Sequence, residues 1–502
     1  MKTEETVKVP QGEFLGHPKG LFVLFFAEMW ERFCYYGMRG LLVLFITKAL
    51  MESDAKAFAI YGAYTGLVYM APVLGGWVAD RILGYRLAVL FGGILMAVGE
   101  FMILGGNLNW LYVGMAIIIV GNGYFKANIS SIVGKLYDDQ DIRKDSGFTI
   151  FYIGINIGAL LATLVAVWVG ETYGFKYGFA LAGFGMILGI LIFIAGQKLY
   201  GHVATPPDPV DLHKKMVGPL TKFHLTILGS IALIPLLYFL LQFNQFVGYL
   251  MIIVAIYVLY SLISAGLKGG KVLMHRMIIF IILCLLNVIF WSLFEQAGSS
   301  LTLFADRNVD REGFLGFWNM TAGQTQFFNP FFILVMGTLF SMMWPFLDKI
   351  KMNPNIPAKF GIGIVLVGVG FLVTILGKGA AVNYMVPMWT IVGLYFFHTV
   401  GELFLSPIGL SMVTKLAPSN MTGELMGAWF LSFAGSNYVA GSILAPLTGT
   451  SGEGTTGVEM SLSDSLDQYV DVFTQFGWIA IICGGIVLIA SPFLNKLLHG
   501  IK

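Results

Sequence analysis

The sequence predicts an all-α integral membrane protein with fourteen transmembrane helices, and three observations carry that prediction. Of 502 residues, 57% are hydrophobic and only 12% charged, with a mean hydropathy of +0.80. A water-soluble domain of this size needs far more polar surface. Apolar runs long enough to cross a bilayer recur along the whole chain, separated by polar, proline- and glycine-rich turns. Lysine and arginine concentrate on alternate turns, as a positive-inside topology requires. The 62 glycines suit helices packed closely in lipid, where small residues let backbones approach. A net charge of +2 gives no basic field of the size that nucleic-acid binding needs. Cys34, Cys284 and Cys483 lie far apart inside apolar segments and read as small buried hydrophobes, not as a disulfide framework or a metal site.

In chain order the spans are expected at 20–47, 57–79, 86–105, 109–134, 146–168, 175–197, 219–241, 246–267, 276–304, 324–346, 358–377, 386–415, 422–447 and 470–495. The polar stretch before the first has no small-residue cleavage site after it and does not read as a signal peptide. With the N-terminus in the cytoplasm, inside segments hold most of the basic residues, among them Lys2, Lys8, Arg81, Arg86, Arg143, Lys214 and Lys496. Outside loops hold only Lys48, Lys56, Lys176, Arg307, Arg311 and Lys378. Both termini are therefore expected in the cytoplasm. The glycine- and serine-rich stretch near 448–468 reads as an exposed outside linker. Asp80 is expected to pin the cytoplasmic end of the second span to a neighbouring helix.

A faint repeat divides the chain. SIVGKL at 131–136 is echoed by SMVTKL at 411–416, Gly154-Ile155-Asn156 by Gly435-Ser436-Asn437, and Asp80-Arg81 by Asp348-Lys349. Two related six-span halves explain the order, and parallel halves are common in transporters. The expected divisions are residues 1–200, a linker and inserted two-helix hairpin over 201–270, and residues 271–502.

Charges inside the spans point to function. A charge at mid-bilayer costs about 3 kcal/mol or more, so each needs a reason. The first span carries AEMWERFCYYGMRG at 27–40. At helical spacing Glu28, Glu31, Arg32, Tyr35 and Arg39 share one stripe, which cannot face lipid. Glu28–Arg32 and Tyr35–Arg39 are each spaced for i, i+4 pairing. A self-neutralising knot that merely orders the bundle is the plain alternative. The functional reading is that Arg32 and Arg39, which cannot lose their charge, hold an anionic group while Glu28 and Glu31 exchange protons.

Lys126, Glu295 and Glu402 are further intramembrane charges, and Asn156 and Asn329 lie in the fifth and tenth spans. Cations thus come from the first half and the acids Glu295 and Glu402 from the second. A cavity between the halves suits a zwitterion with separated ends, such as a short peptide. The asparagines offer both donor and acceptor to an amide or amine. His398, one turn before Glu402, reads as a structurally satisfied histidine that could tune that acid, and Glu100 as either a bundle contact or a functional acid. No HExxH, Gly-x-Ser-x-Gly elbow or P-loop suggests an enzyme, and no cofactor is indicated.

The stripe Glu28-x-x-Glu31-Arg32-Phe33-x-Tyr35-Tyr36-Gly37 resembles the signature of the proton-dependent oligopeptide transporters, within the major facilitator superfamily. FYIGINIG at 151–158 resembles that family's second signature, and FEQ at 294–296 and GELFLSPIGLS at 401–411 its C-terminal motifs. GGWVADRILGYR at 75–86 resembles the superfamily's loop between spans two and three, and the hairpin near 219–267 the two additional helices of bacterial members.

The resemblance implies the major facilitator fold and proton-coupled import of di- and tripeptides by alternating access. It implies that Arg39 and Lys126 handle the peptide carboxylate, with Arg32 linked to Glu28 and Glu31. Asn156, Asn329 and Glu402 would face the amino end, and Tyr35, Tyr36, Tyr69, Trp291, Ser406 and Trp429 would line substrate pockets. Glu295 would pair with Arg39 and release it on protonation. A multi-pass protein of the bacterial inner membrane, working as a monomer, is expected. One departure stands out: animal members carry a histidine where this chain has Gly62, so proton handling must rest on carboxylates or another histidine. The rival is a same-fold carrier of nitrate, a drug or another small solute, which would not need Glu402 opposite the cations.

Overall fold

A computed structural model of the protein describes residues 12–138, 141–418, 421–449 and 460–501, without the side chains at 407, 408, 410 and 414. The core of the linker near 448–468, residues 450–459, and the basic residues Lys2, Lys8 and Lys502 lie outside the described residues.

Fourteen spans follow in order. Span 1 is Lys19–Leu44, running on through a wide turn at Phe45–Ala49. Span 2 is Asp54–Val78, and a second wide turn, Ala79–Leu83, leads straight into span 3, Gly84–Ile103. Span 4 is Leu108–Lys135, span 5 is Lys144–Leu161 with a wide turn at Ala162–Val167, and span 6 is Phe175–Ala195. The inserted hairpin is span 7, Lys222–Gln242, and span 8, Gln245–Lys268. Span 9 is Gly270–Phe294 and span 10 Phe328–Lys349. Spans 11 to 14 are Ile356–Gly379, Trp389–Leu416, Thr422–Val439 and Leu462–Lys496.

Polar caps set several starts. Ser53, Asn107, Asn355 and Ser461 each accept a hydrogen bond from the backbone N–H three residues on, satisfying a donor the helix leaves open. Ser461 explains why span 14 starts eight residues before the 470 expected from hydropathy: its first two turns are polar yet capped. Eleven helical stretches of the described residues are long and apolar enough to cross a membrane by composition alone. One of them, Asp54–Ile103, joins spans 2 and 3. Span 1, with its charged stripe, and span 13 lie outside that limit.

In the first half span 1 packs on spans 5 and 6, span 3 on spans 4 and 6, and span 2 on span 4. In the second, span 11 packs on spans 12 and 14, span 9 on spans 11 and 13, and span 10 on span 12. The hairpin straddles both: span 7 leans on span 4, span 8 on spans 9 and 13. The three repeated fragments fall on matching elements, near the ends of the second and fourth spans and inside the fifth span of each half.

The halves meet where span 2 runs along span 13 and span 5 against span 10. The first contact is backbone to backbone. A Cβ added to Gly62 would come within 2.8 Å of the Ser442 nitrogen, and one on Gly441 within 2.5 Å of the Gly62 Cα. No imidazole could stand at position 62 in this arrangement, which gives the missing histidine a steric cause.

Both described ends lie at one face of the bundle. There His17 Nδ1 sits 2.8 Å from Tyr137 Oη, and His499 Nε2 2.9 Å from His275 Nδ1. At the opposite face polar contacts tie the halves together. Lys48 meets Asp306 at 2.5 Å, and Arg307 holds Asp54 with two bonds of 2.6 and 2.8 Å. Glu171 accepts from Thr321 Oγ1 at 2.6 Å and from the Gly323 N–H at 2.8 Å.

Candidate substrate and coupling site

The stripe of span 1 is buried. Arg32 Nε lies 2.8 Å from Glu28 Oε1 and 2.7 Å from Glu31 Oε2, and none of the three is more than 4% exposed. Asn122 of span 4 donates to the other oxygen of Glu31 at 3.1 Å. The second motif makes room for this cluster: a Cβ on Gly158 would sit 2.2 Å from the Met29 carbonyl oxygen and 2.9 Å from the Arg32 Cβ. Only glycine there lets span 5 close on span 1 beside Arg32.

Arg39 takes a different course. Its i, i+4 partner by spacing, Tyr35, does not bond it. Arg39 Nη2 reaches Glu295 Oε2 at 2.5 Å and its Nε donates to Tyr61 Oη at 2.7 Å. Those partners outcompete Tyr35 because one is charged and both are fixed on other elements. Glu295 sits where the helix of span 9 ends and a tight turn, Glu295–Gly298, begins. The Arg39 guanidinium also lies 5.7 Å from the Tyr36 ring centre. The Tyr35 ring stands between two cations, 5.8 Å from Arg32 and 6.0 Å from Lys126. Lys126 Nζ lies 3.7 Å over the Tyr69 ring, near enough for a cation–π contact.

A cavity of about 640 Å³, its mouth included, lies between the halves. Tyr36 and Arg39 of span 1 and Asn156 of span 5 line one side, with Asn329 of span 10 and Glu402 of span 12 on the other. Asn329 Nδ2 donates to Glu402 Oε2 at 2.8 Å and lies 3.1 Å from Thr399 Oγ1. Asn156 gives its amide hydrogen to the Tyr152 carbonyl at 3.0 Å. Five of the predicted substrate residues thus share one space, and Lys126, Arg32, Tyr35, Tyr69, Trp291, Ser406 and Trp429 are not among its lining. Three of these gather elsewhere, around Phe433 of span 13. Tyr69 stacks on it at 5.8 Å, and Trp291 and Trp429 approach at 5.3 and 6.0 Å. Ser406 is half-buried, and its Oγ has no partner among the described residues.

Asp80 accepts from Tyr85 Oη at 2.7 Å, a local contact five residues on across the turn that joins spans 2 and 3, not a tie to a separately packed helix. The His398 ring packs edge-on to Phe371 at 4.7 Å and beside Phe294 at 6.0 Å, 1% exposed, but its Nε2 has no partner among the described residues, so the expected satisfaction is not complete. Glu100 is fully buried and accepts from Cys34 Sγ at 3.5 Å. Tyr61 and Phe433 escaped the sequence reading. A tyrosine or phenylalanine in an apolar span gives no signal of its own, although Tyr61 precedes the departing Gly62 by one residue.

The POT family profile matches residues 86–457. The chain belongs to the POT family. An "Uncharacterized transporter YclF" of Bacillus subtilis is 35% identical, covering 98% of this chain and 97% of its own length. The "Dipeptide and tripeptide permease B" of Xenorhabdus bovienii is 33% identical over 96% of each chain. Among solved structures, a mutant of the peptide transporter POT in complex with alafosfalin has a TM-score of 0.84 at 35% identity, with 98% of each chain covered. A POT family transporter in complex with 5-aminolevulinic acid has a TM-score of 0.80 at 31% identity, covering 97% of this chain and 99% of that one. As a POT-family member the protein is a multi-pass membrane transporter and not an enzyme.

Proposed function

We propose that this protein is a proton-coupled symporter that imports di- and tripeptides by alternating access. The observation that carries the reading is the cavity with a fixed cation, Arg39, on one wall and an acid, Glu402, on the other. A zwitterion with separated ends bridges those walls. The alafosfalin and 5-aminolevulinic acid bound by two structural neighbours, and the names of the permeases, are in keeping with such a solute.

In this cycle an outside proton reaches Glu295, with Glu28 and Glu31 as further proton-handling acids. Neutral Glu295 releases Arg39, and Arg39, helped by Lys126, takes the peptide carboxylate. Asn156, Asn329 and Glu402 take the amino end. Tyr35, Tyr36, Tyr69, Trp291, Ser406 and Trp429 accommodate the rest of the peptide as the site closes. Bridging both halves favours closure of the outer side, where Lys48–Asp306, Arg307–Asp54 and Glu171 with Thr321 already join them. The halves rock, the inner side opens, and proton loss restores the Arg39–Glu295 pair and expels the carboxylate. The rocking bodies are residues 1–200 and 271–502, with 201–270 as linker and hairpin. Both termini are cytoplasmic, the membrane is the bacterial inner membrane, and the working unit is a monomer.

The competing reading, a same-fold carrier of a small anion, leaves Glu402 without a role. Reconstituted protein should accumulate dialanine under an inside-negative potential and an inward proton gradient, and a protonophore should abolish the accumulation. Binding of nitrate but not of dialanine would favour the competitor.

A further inference from the structure

Nothing above gives a role to Tyr61, yet its hydroxyl stands inside the Arg39–Glu295 pair. It accepts from Arg39 Nε at 2.7 Å and places its own hydrogen toward Glu295 Oε2 at 3.4 Å. The side chain is fully buried, so water cannot replace either bond. Its position is also fixed from behind: a Cβ on Gly298 would fall 2.0 Å from the Tyr61 hydroxyl. Glycine at the tight turn after Glu295 is what leaves room for the hydroxyl to sit between the two charges.

We propose that Tyr61 is a positioning residue of the gate: its hydroxyl keeps Arg39 aimed into the cavity once Glu295 lets go. The chemistry follows from the two bonds. The bond from Arg39 Nε, at 2.7 Å, is the firmer of the two, and the contact to Glu295 Oε2, at 3.4 Å, the looser. When Glu295 is neutralised, the Arg39–Glu295 ion pair is lost but the Arg39–Tyr61 bond is not. Arg39 then presents Nη2, the nitrogen just vacated, to the incoming carboxylate instead of swinging freely. The side chain therefore does not have to be re-ordered when the peptide binds, which is a saving in affinity.

Other groups around Glu295 are accounted for. Within electrostatic reach are Tyr35, Tyr36 and Arg39 from span 1, Tyr61 and Tyr69 from span 2, Lys126 from span 4, and Tyr395 and Glu402 from span 12. Of the tyrosines, only Tyr61 is hydrogen-bonded to both members of the pair.

The proposal rests on the peptide-symport reading, and its test separates the two. Dialanine uptake and counterflow are measured in proteoliposomes for wild type, Tyr61→Phe and Gly298→Ala. Tyr61→Phe keeps the ring and removes the hydroxyl; Gly298→Ala keeps the hydroxyl and pushes it aside, and stands in if the first is poorly recovered. Both should raise the KM of counterflow by about tenfold, the scale of one hydrogen bond to a charged group, with kcat nearly kept. A purely structural tyrosine would lower the amount of active protein without moving KM, and that result overturns the proposal. If wild type neither binds nor carries dialanine, the peptide reading falls first; if wild type does so and the variants match it, only the role of Tyr61 falls.

Discussion

Two buried arginine–carboxylate clusters sit one above the other on span 1 and differ in what holds them. Arg32 pairs with Glu28 and Glu31, all on the same helix within five residues. Arg39 pairs with Glu295, in the other half of the molecule. Rocking of the halves cannot stretch the first cluster, because its members ride together. The second joins the two halves. The first is therefore a fixture within one helix, and the second is a link between the halves that neutral Glu295 would release. Identical residue types serve opposite purposes because of which element carries the partner.

The comparison breaks most sharply at Arg32. Arg32→Met strands two buried carboxylates, and losing one partner of a buried pair costs about 3–5 kcal/mol. Thermal unfolding in detergent should show a drop of that order, much larger than for Glu295→Gln, whose amide can still accept from Arg39. Equal destabilisation by both would remove the distinction between fixture and link. Next in size is the far wall. Glu402→Gln keeps a group that can accept from Asn329 but loses the charge opposite Arg39. It should raise the KM for dialanine by roughly tenfold, as expected for one charge-assisted contact. A substrate lacking the amino group should be unaffected, and an equal rise for both would detach Glu402 from amine recognition. Smallest is the face that carries the Lys48–Asp306 pair. Lys48 is half exposed in its pair with Asp306, and such pairs contribute about 0–1 kcal/mol. Lys48→Ala should change counterflow rates by no more than a few-fold, against a far larger loss for changes at Arg39.

The same contrast explains what could be read in advance. The Glu28–Arg32 pair follows from helical spacing alone, so a single sequence reveals it. Tyr35–Arg39 has the same spacing and fails, because Arg39 has stronger partners that spacing cannot show. The spans follow from hydropathy, except where polar caps such as Ser461 lengthen a helix beyond its apolar run. The intramembrane charges and asparagines singled out Arg39, Asn156, Asn329 and Glu402, and the fold brings these four to one cavity. Lys126 and the aromatic group around Phe433 lie off that cavity, which hydropathy and motifs do not show. Tyr61 stayed hidden because a buried tyrosine is ordinary until its hydroxyl is seen between two charges.

The most direct test of the account compares Glu295→Gln with wild type in the same proteoliposomes, measuring gradient-driven accumulation and counterflow of dialanine side by side. Proton-driven accumulation should vanish while counterflow persists near the wild-type rate, because the link is fixed in its neutral state but the substrate site and the rocking are intact. Driven accumulation by Glu295→Gln at the wild-type level, or loss of both activities in a stably folded protein, would contradict the assignment of Glu295 as the proton-operated half of the gate.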